Sequence, residues 1–354
     1  RALQADPRHP GALLGLGDLC EVAGETDRAA SLFRTATRIA GSGAAPWRKL
    51  AELLERAGRV PEAIDAYAKA RAHSPNDLEI LRGLGNVQRV SGDLDGAQAT
   101  LEQAAVVAPG DAQTMLFLGA VHLARGQYSE ALSLFDRLRS SAPALPEPQF
   151  FAAVCLQALL RHDDAIEVLQ ALLRAHAPRK EWLNMLGASL FARSRFDEAL
   201  VVHRQALAFG PTDSDTAVRI AHCQTMLRDF DGAMATVERV LAIAPDDQSA
   251  LCFQVQLLIT LDQKERAREI CERLLRIDPD HAFAWSKLMT IRLGRCLWDG
   301  YDAFIEGISA YIARATAAGQ AMQLTIQDLH NLPIAWEQEV AAARNVAAAI
   351  EAKA

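Results

Sequence analysis

The chain has 354 residues, half of them apolar and 23% charged, which is ample material for a buried core. Its formal net charge is −7 with acids and bases interspersed, so it offers no broad basic surface to neutralise phosphates, and nucleic acid is excluded as an expected partner. No run of about 18 apolar residues suggests a membrane span, and the six cysteines form no CxxC pair and sit in apolar helical patterns, which fits free thiols in a reducing, cytoplasmic compartment.

From the N-terminus, residues 1–9 read as the end of a truncated unit, so the chain reads as a fragment of a longer one. From Pro10 the sequence aligns with itself in lines of 34, with units beginning at Pro10, Ala44, Leu78, Ala112, Pro146, Lys180, Ser214 and Gln248 and ending at His281. Column twenty of this frame is alanine in every unit: Ala29, Ala63, Ala97, Ala131, Ala165, Ala199, Ala233 and Ala267. Column eight is small in all but the last, from Gly17 and Ala51 to Ala221 and then Val255. Two helices are expected to meet where these two columns face each other, because a minimal side chain lets the axes approach closely. Columns four and seven carry large apolar residues such as Leu81 and Leu84, and columns twenty-four and twenty-seven carry a second stripe through Phe33, Tyr67, Phe135 and Leu138. Two helices per unit follow. Glycine at column fifteen of the first four units (Gly24, Gly58, Gly92, Gly126) suits a left-handed helix end. Prolines followed by acids, as in Pro75-Asn76-Asp77 and Pro245-Asp246-Asp247, stop one helix and cap the next.

These residues resemble the tetratricopeptide repeat pattern over Pro10 to His281. The resemblance implies an all-α fold, a right-handed α-solenoid of helical hairpins, with the first helix of each hairpin lining a concave groove that holds a protein or peptide ligand. Nothing catalytic is expected, and no cofactor. The glycines of "GALLGLG" (residues 11–17) and "RGLGNV" (residues 82–87) fall on helix-packing columns with no preceding strand, which argues against a phosphate loop. The nine histidines show no HxxxH or HExxH spacing and argue against a metal.

The groove columns two, five, six and nine are polar in the first three units, with Asp18, Arg48, Lys49, Glu52, Glu79, Arg82 and Asn86. From the fourth unit columns five and six turn apolar, and the candidate ligand contacts are Leu116, Phe117, Phe150, Phe151, Asn184, Met185, Arg219 and Phe253. The competing reading is that neighbouring helices cover these rings. Arg82 and Asn86 begin the residue set of a carboxylate clamp, but Phe117 stands where that set needs asparagine.

A ninth unit begins at Ala282, with Trp285 at column four and Leu288 at column seven, but its column twenty is Tyr301. A ring there forbids the usual close approach, so residues 282–317 read as an atypical capping repeat whose second helix, from about Trp298, is longer than its predecessors. Residues 318–354 read as a linker and a terminal helix starting near Asn331-Leu332-Pro333, with Trp336, Val340, Ala343, Ala347 and Ile350 on one face. Here Arg295, Cys296, Trp298, Asp299, Tyr301 and Asp302, and the tail from His330 to Ile350, resemble the segment that follows the repeats in O-linked N-acetylglucosamine transferases and their bacterial relatives. That resemblance implies the acceptor-recruiting arm of a protein O-glycosyltransferase whose catalytic domain lies outside this chain. The alternatives are a stand-alone cytoplasmic scaffold and the arm of another transferase. A scaffold predicts a tail that packs back on the last repeat, and an arm predicts a tail left partly exposed. Self-association is left open.

Overall fold

The computed structural model describes residues 9–39, 41, 43–295, 300–318, 342–344 and 346–347. Between Pro10 and Ala317 they form eighteen α-helices and no strand, and the chain divides into two compact bodies, Arg1–Pro178 and Arg179–Ala354. The first body holds the hairpins α1 (Pro10–Val22) with α2 (Thr26–Thr37), α3 (Ala45–Arg56) with α4 (Val60–His73), α5 (Leu78–Ser91) with α6 (Leu94–Val107), α7 (Ala112–Ala124) with α8 (Tyr128–Ser141), and α9 (Pro146–Ala158) with α10 (His162–Ala175). The second holds α11 (Lys180–Ala192) with α12 (Phe196–Leu207), α13 (Ser214–Met226) with α14 (Phe230–Ile243), α15 (Gln248–Thr260) with α16 (Lys264–Ile277), and α17 (Ala282–Arg295) followed by α18 (Tyr301–Ala317).

The helix limits have local causes. Asp77, Asp111, Asp213 and Asp247 each accept a hydrogen bond from a backbone N–H of the first turn they precede, which satisfies donors a helix start leaves free. At the corner between the two helices of a hairpin, the column-fifteen glycines of the first four hairpins take positive φ, 79°, 71°, 89° and 73°. The last four repeats keep this conformation without glycine: Leu160, Ser194, Arg228 and Asp262 stand at φ 58°, 59°, 65° and 58°. The left-handed corner is thus a property of the hairpin rather than of the residue.

Every column-twenty alanine from Ala29 to Ala267 is 0% exposed. The space at column eight is filled from across the hairpin by column twenty-four of the same unit. A Cβ added to Gly85 would stand 2.5 Å from Leu101 Cγ, and one on Gly119 2.7 Å from the Phe135 ring. Where column eight enlarges to Val255, column twenty-four shrinks to Cys271, and both are fully buried. Volume is conserved across the pair, as close packing demands.

Two hairpins share a polar knot. Thr100 Oγ1 donates to Gln88 Oε1 at 2.9 Å, and the Gln88 amide donates to Asp93, which caps α6 at the N–H of Gly96. The same groups recur in the second body, where Thr236 donates to Gln224 at 2.9 Å and Gln224 to Asp229, the cap of α14 at Gly232.

The last pair of helices departs from this scheme. Helix α18 has 17 residues where the preceding second helices have 12–14, and it meets α17 through rings. Trp285 stacks on Tyr311 (centroids 6.2 Å, 18°) and meets Phe304 at 6.0 Å, while Gly307 leaves room for the indole. The Trp285 indole N–H donates to the Pro279 carbonyl at 2.8 Å. Helix α18 begins at Tyr301 rather than near Trp298; Cys296, Trp298 and Asp299 lie outside the described residues. Of the terminal segment, 342–344 and 346–347 are helical. Ala342 (0% exposed) and Val346 (6%) join the cluster of Trp285, Ile308 and Tyr311, Ala343 lies at its edge, and Ala347 is exposed. The buried face therefore runs through Ala342 and Val346, one position away from the expected stripe, of which Trp336, Val340 and Ile350 lie outside the described residues.

Candidate functional site

In the first body the first helices α1, α3, α5, α7 and α9 lie side by side, and their shared face carries the candidate contacts. Its N-terminal part is polar and internally matched. Lys49 pairs with Asp18 at 3.0 Å, Arg48 with Glu52 at 2.8 Å and also with Glu79, and Arg82 with Asp111 at 3.3 Å. Each inter-helix pair ties one hairpin to the next. Burial pushes the Asp111 carboxyl up, but hydrogen bonds from Thr114 and the Arg82 charge carry it below the usual carboxylate range. The Asn86 amide donates to Glu55 at 2.7 Å. Arg82 and Asn86, the residues that begin a carboxylate clamp, are both held by acids of this chain.

A cavity of about 360 Å³ opens on this face between Arg48, Glu52, Glu55, Tyr67, Glu79, Arg82, Gly83 and Phe117. Tyr67 reaches it because Gly83 has no side chain to block the ring, and the Tyr67 hydroxyl donates to Glu55 at 2.8 Å. Burial first, then the Glu55 charge, raises the phenol pKa well above its ordinary value, so it stays a donor.

The structure places the eight candidate contacts unequally. Leu116, Phe117, Phe150 and Phe151 are half-buried on the first body. Phe151 stacks on the fully buried Phe135 (5.4 Å, 26°) and touches Phe150 at 5.8 Å, while Phe117 borders both the core around Leu101 and the cavity. On the second body Asn184 and Met185 are half-buried and Arg219 is exposed. Phe253 is only 4% exposed, with the His222 ring edge-on at 4.5 Å. Column six meets column twenty-four of the preceding hairpin, as Gly83 meets Tyr67 and Phe151 meets Phe135, because helical side chains lean toward the N-terminus.

Sequence reasoning passed over Tyr67, His203 and His222. His203 is the one histidine on column twenty-four, where the other hairpins carry Phe, Tyr, Leu, Val or Cys, and that exception was the available signal. It is 1% exposed and fills the space above Gly187, and its Nδ1 lies 3.1 Å from Asn184 Oδ1. The Asn184 amide donates to Thr216 Oγ1 at 2.9 Å, Thr216 donates to Asp213, and Lys180 pairs with Asp213 at 3.0 Å. Among the described residues no helix is long and apolar enough to cross a membrane, and no cluster of His, Cys, Asp and Glu could hold a metal ion.

Four family models described as tetratricopeptide repeat match residues 1–45 and 82–146, 44–87, 122–188 and 190–252, and 249–281. They end at His281, where the column-twenty alanine gives way to Tyr301. No curated protein matches the chain. Among solved structures, a tetratricopeptide repeat protein from Parabacteroides merdae is similar with a TM-score of 0.54 at 13% identity, over 66% of this chain and 92% of that one. PilF of Pseudomonas aeruginosa is similar with a TM-score of 0.52 at 18% identity, over 61% of this chain and 96% of that one. At such identities the likeness is one of fold.

Proposed function

Because this chain belongs to the tetratricopeptide repeat family, we propose that it is a protein-interaction scaffold whose first-helix face holds an extended or helical segment of another protein. The observation that carries this reading is the set of half-buried rings on the first body, Phe117, Phe150 and Phe151, which offer apolar surface beside a cavity whose cations, Arg48 and Arg82, are already paired within the chain. A ligand's apolar side chains displace water from those rings, and its backbone N–H groups meet the Glu52 and Glu79 carboxylates at the rim of the cavity. Peptides selected on the protein from a displayed random library are the assay. Phe117→Ala and Phe150→Ala should each weaken a selected peptide by roughly tenfold, about 1.4 kcal/mol, with helicity unchanged by circular dichroism. Unchanged affinity in both variants would remove the aromatic anchors from the reading.

The finer reading is the acceptor-recruiting arm of a protein O-glycosyltransferase. Its support is the resemblance carried by Arg295 to Asp302 and by the tail from His330 to Ile350. The second reading, a scaffold closed by its own cap, is favoured by the burial of Ala342 and Val346 against α17 and α18. The product of the native gene decides between them: transfer from a sugar nucleotide to a groove-bound protein, lost when the helical stack is deleted, supports the arm, and absence of transfer leaves the scaffold.

A further inference from the structure

Arg219 of α13 lines a cavity of about 210 Å³ together with Ala188 and Phe191 of α11, His203 of α12 and His222 of α13. The repeat frame explains why the preceding hairpin supplies this cation with no acid; Asp215, four residues before it on α13, makes no ion pair with it. On the first body the column-six Lys49 pairs with Asp18, which is column nine of the preceding hairpin. Arg48 and Arg82 are matched on that body, and Lys180 is matched by Asp213 on the second. Arg219 is also a column-six residue, but column nine of the hairpin before it is Ala188. Register thus puts a methyl group where the first hairpin puts a carboxylate, and Arg219 makes no ion pair among the described residues.

We propose that this cavity takes the side-chain carboxylate of an aspartate or glutamate from a bound peptide, which completes the ion pair that Ala188 leaves open; the proposal rests on the reading of the first-helix face as a peptide groove. The walls suit such a side chain. Phe191 and His222 meet edge to face at 6.4 Å, so a methylene stem finds apolar contact beneath the guanidinium. The pKa values of His203 and His222 both lie below the ordinary imidazole value, through burial first and the Arg219 charge second. Both rings are therefore neutral at pH 7; the His203 Nδ1–H is taken by Asn184 Oδ1, and the N–H of His222 is the one left for a ligand. A carboxylate bound here accepts a charge-assisted hydrogen bond from the exposed guanidinium. The occupant is a side-chain carboxylate rather than a phosphate because the chain's own occupant of this register is Asp18.

The test is an NMR titration of the full chain with N-acetyl-glutamate amide, followed at the His222 ring and the Arg219 Nε–H. A saturable shift is expected with a Kd on the order of millimolar, as befits a ligand of this size. N-acetyl-glutamine amide and inorganic phosphate should each bind at least about tenfold more weakly. Ala188→Asp, which supplies the carboxylate from within, and Arg219→Gln should each abolish the shift while the circular dichroism stays unchanged. Equal shifts with the glutamine compound, phosphate binding as tightly as glutamate, or retention of the shift in Ala188→Asp would each overturn the proposal. A single amino-acid ligand does not touch Phe117 or Phe150, so this result and that of the anchor variants stand or fall separately.

Discussion

Leu160 shows what one residue concedes to the hairpin it belongs to. It is 78% exposed and makes no core contact that would compensate its φ of 58°, a conformation that costs an L-residue about 1–2 kcal/mol. Leu160→Gly removes that strain and gives back part of it through the greater freedom of the unfolded chain. The net expectation is a gain of roughly 0.5–1 kcal/mol, read as a higher urea midpoint, and a lower midpoint would contradict it. The first four corners were legible because glycine marks them. The last four were not, since a leucine, a serine, an arginine and an aspartate carry no conformational label, and only the period places them. At the candidate site the same limit applies. Whether a column-six ring is open depends on what the preceding hairpin holds at columns nine and twenty-four: Phe253 is covered by His222, and Phe151 gives one face to Phe135. No single residue announces that.

At the level of the helix pair, the rule of the fold is complementarity between columns eight and twenty-four. The sequence displays both columns but not their contact; column eight was expected to face the alanines of column twenty, and in the structure its empty space receives the larger side chain four residues further on. His203 obeys this packing with a titratable group. Burial, with the Arg219 charge second, holds its pKa down to about 4 against an ordinary value of 6.5. Between these values the unfolded chain binds more protons than the folded one, so stability falls as pH drops through that window, by on the order of 3 kcal/mol in full. His203→Leu copies the Gly85–Leu101 pair, and its urea midpoint should fall less than that of the wild type between pH 7 and pH 4.5. Parallel losses in the two proteins would show that His203 does not contribute this dependence. The polar knots at Gln88–Asp93–Thr100 and Gln224–Asp229–Thr236 are also readable in outline, because the two copies lie four periods apart.

Within each body stability is spread over neighbours, each hairpin covering the next, and the last pair changes chemistry from alanine to aromatic rings where repetition ends. Cys155, Cys223 and Cys271 belong to the buried core. Burial raises Cys155 and Cys223 to about 11 and Cys271 to about 12, so little thiolate exists near neutral pH. The fold class and the alternation of helices followed from the 34-residue period, and the ion-pair ladder between successive first helices did not, because its partners lie about one period apart on separate columns. The constant zero exposure of column twenty has a metrical consequence for a ligand. Alanines this deeply buried keep the helices close, and packed helices stand about 8–10 Å apart. An extended strand advances about 3.3 Å per residue, so the first-helix face of the first body acts as a ruler marked at every third residue of whatever lies along it.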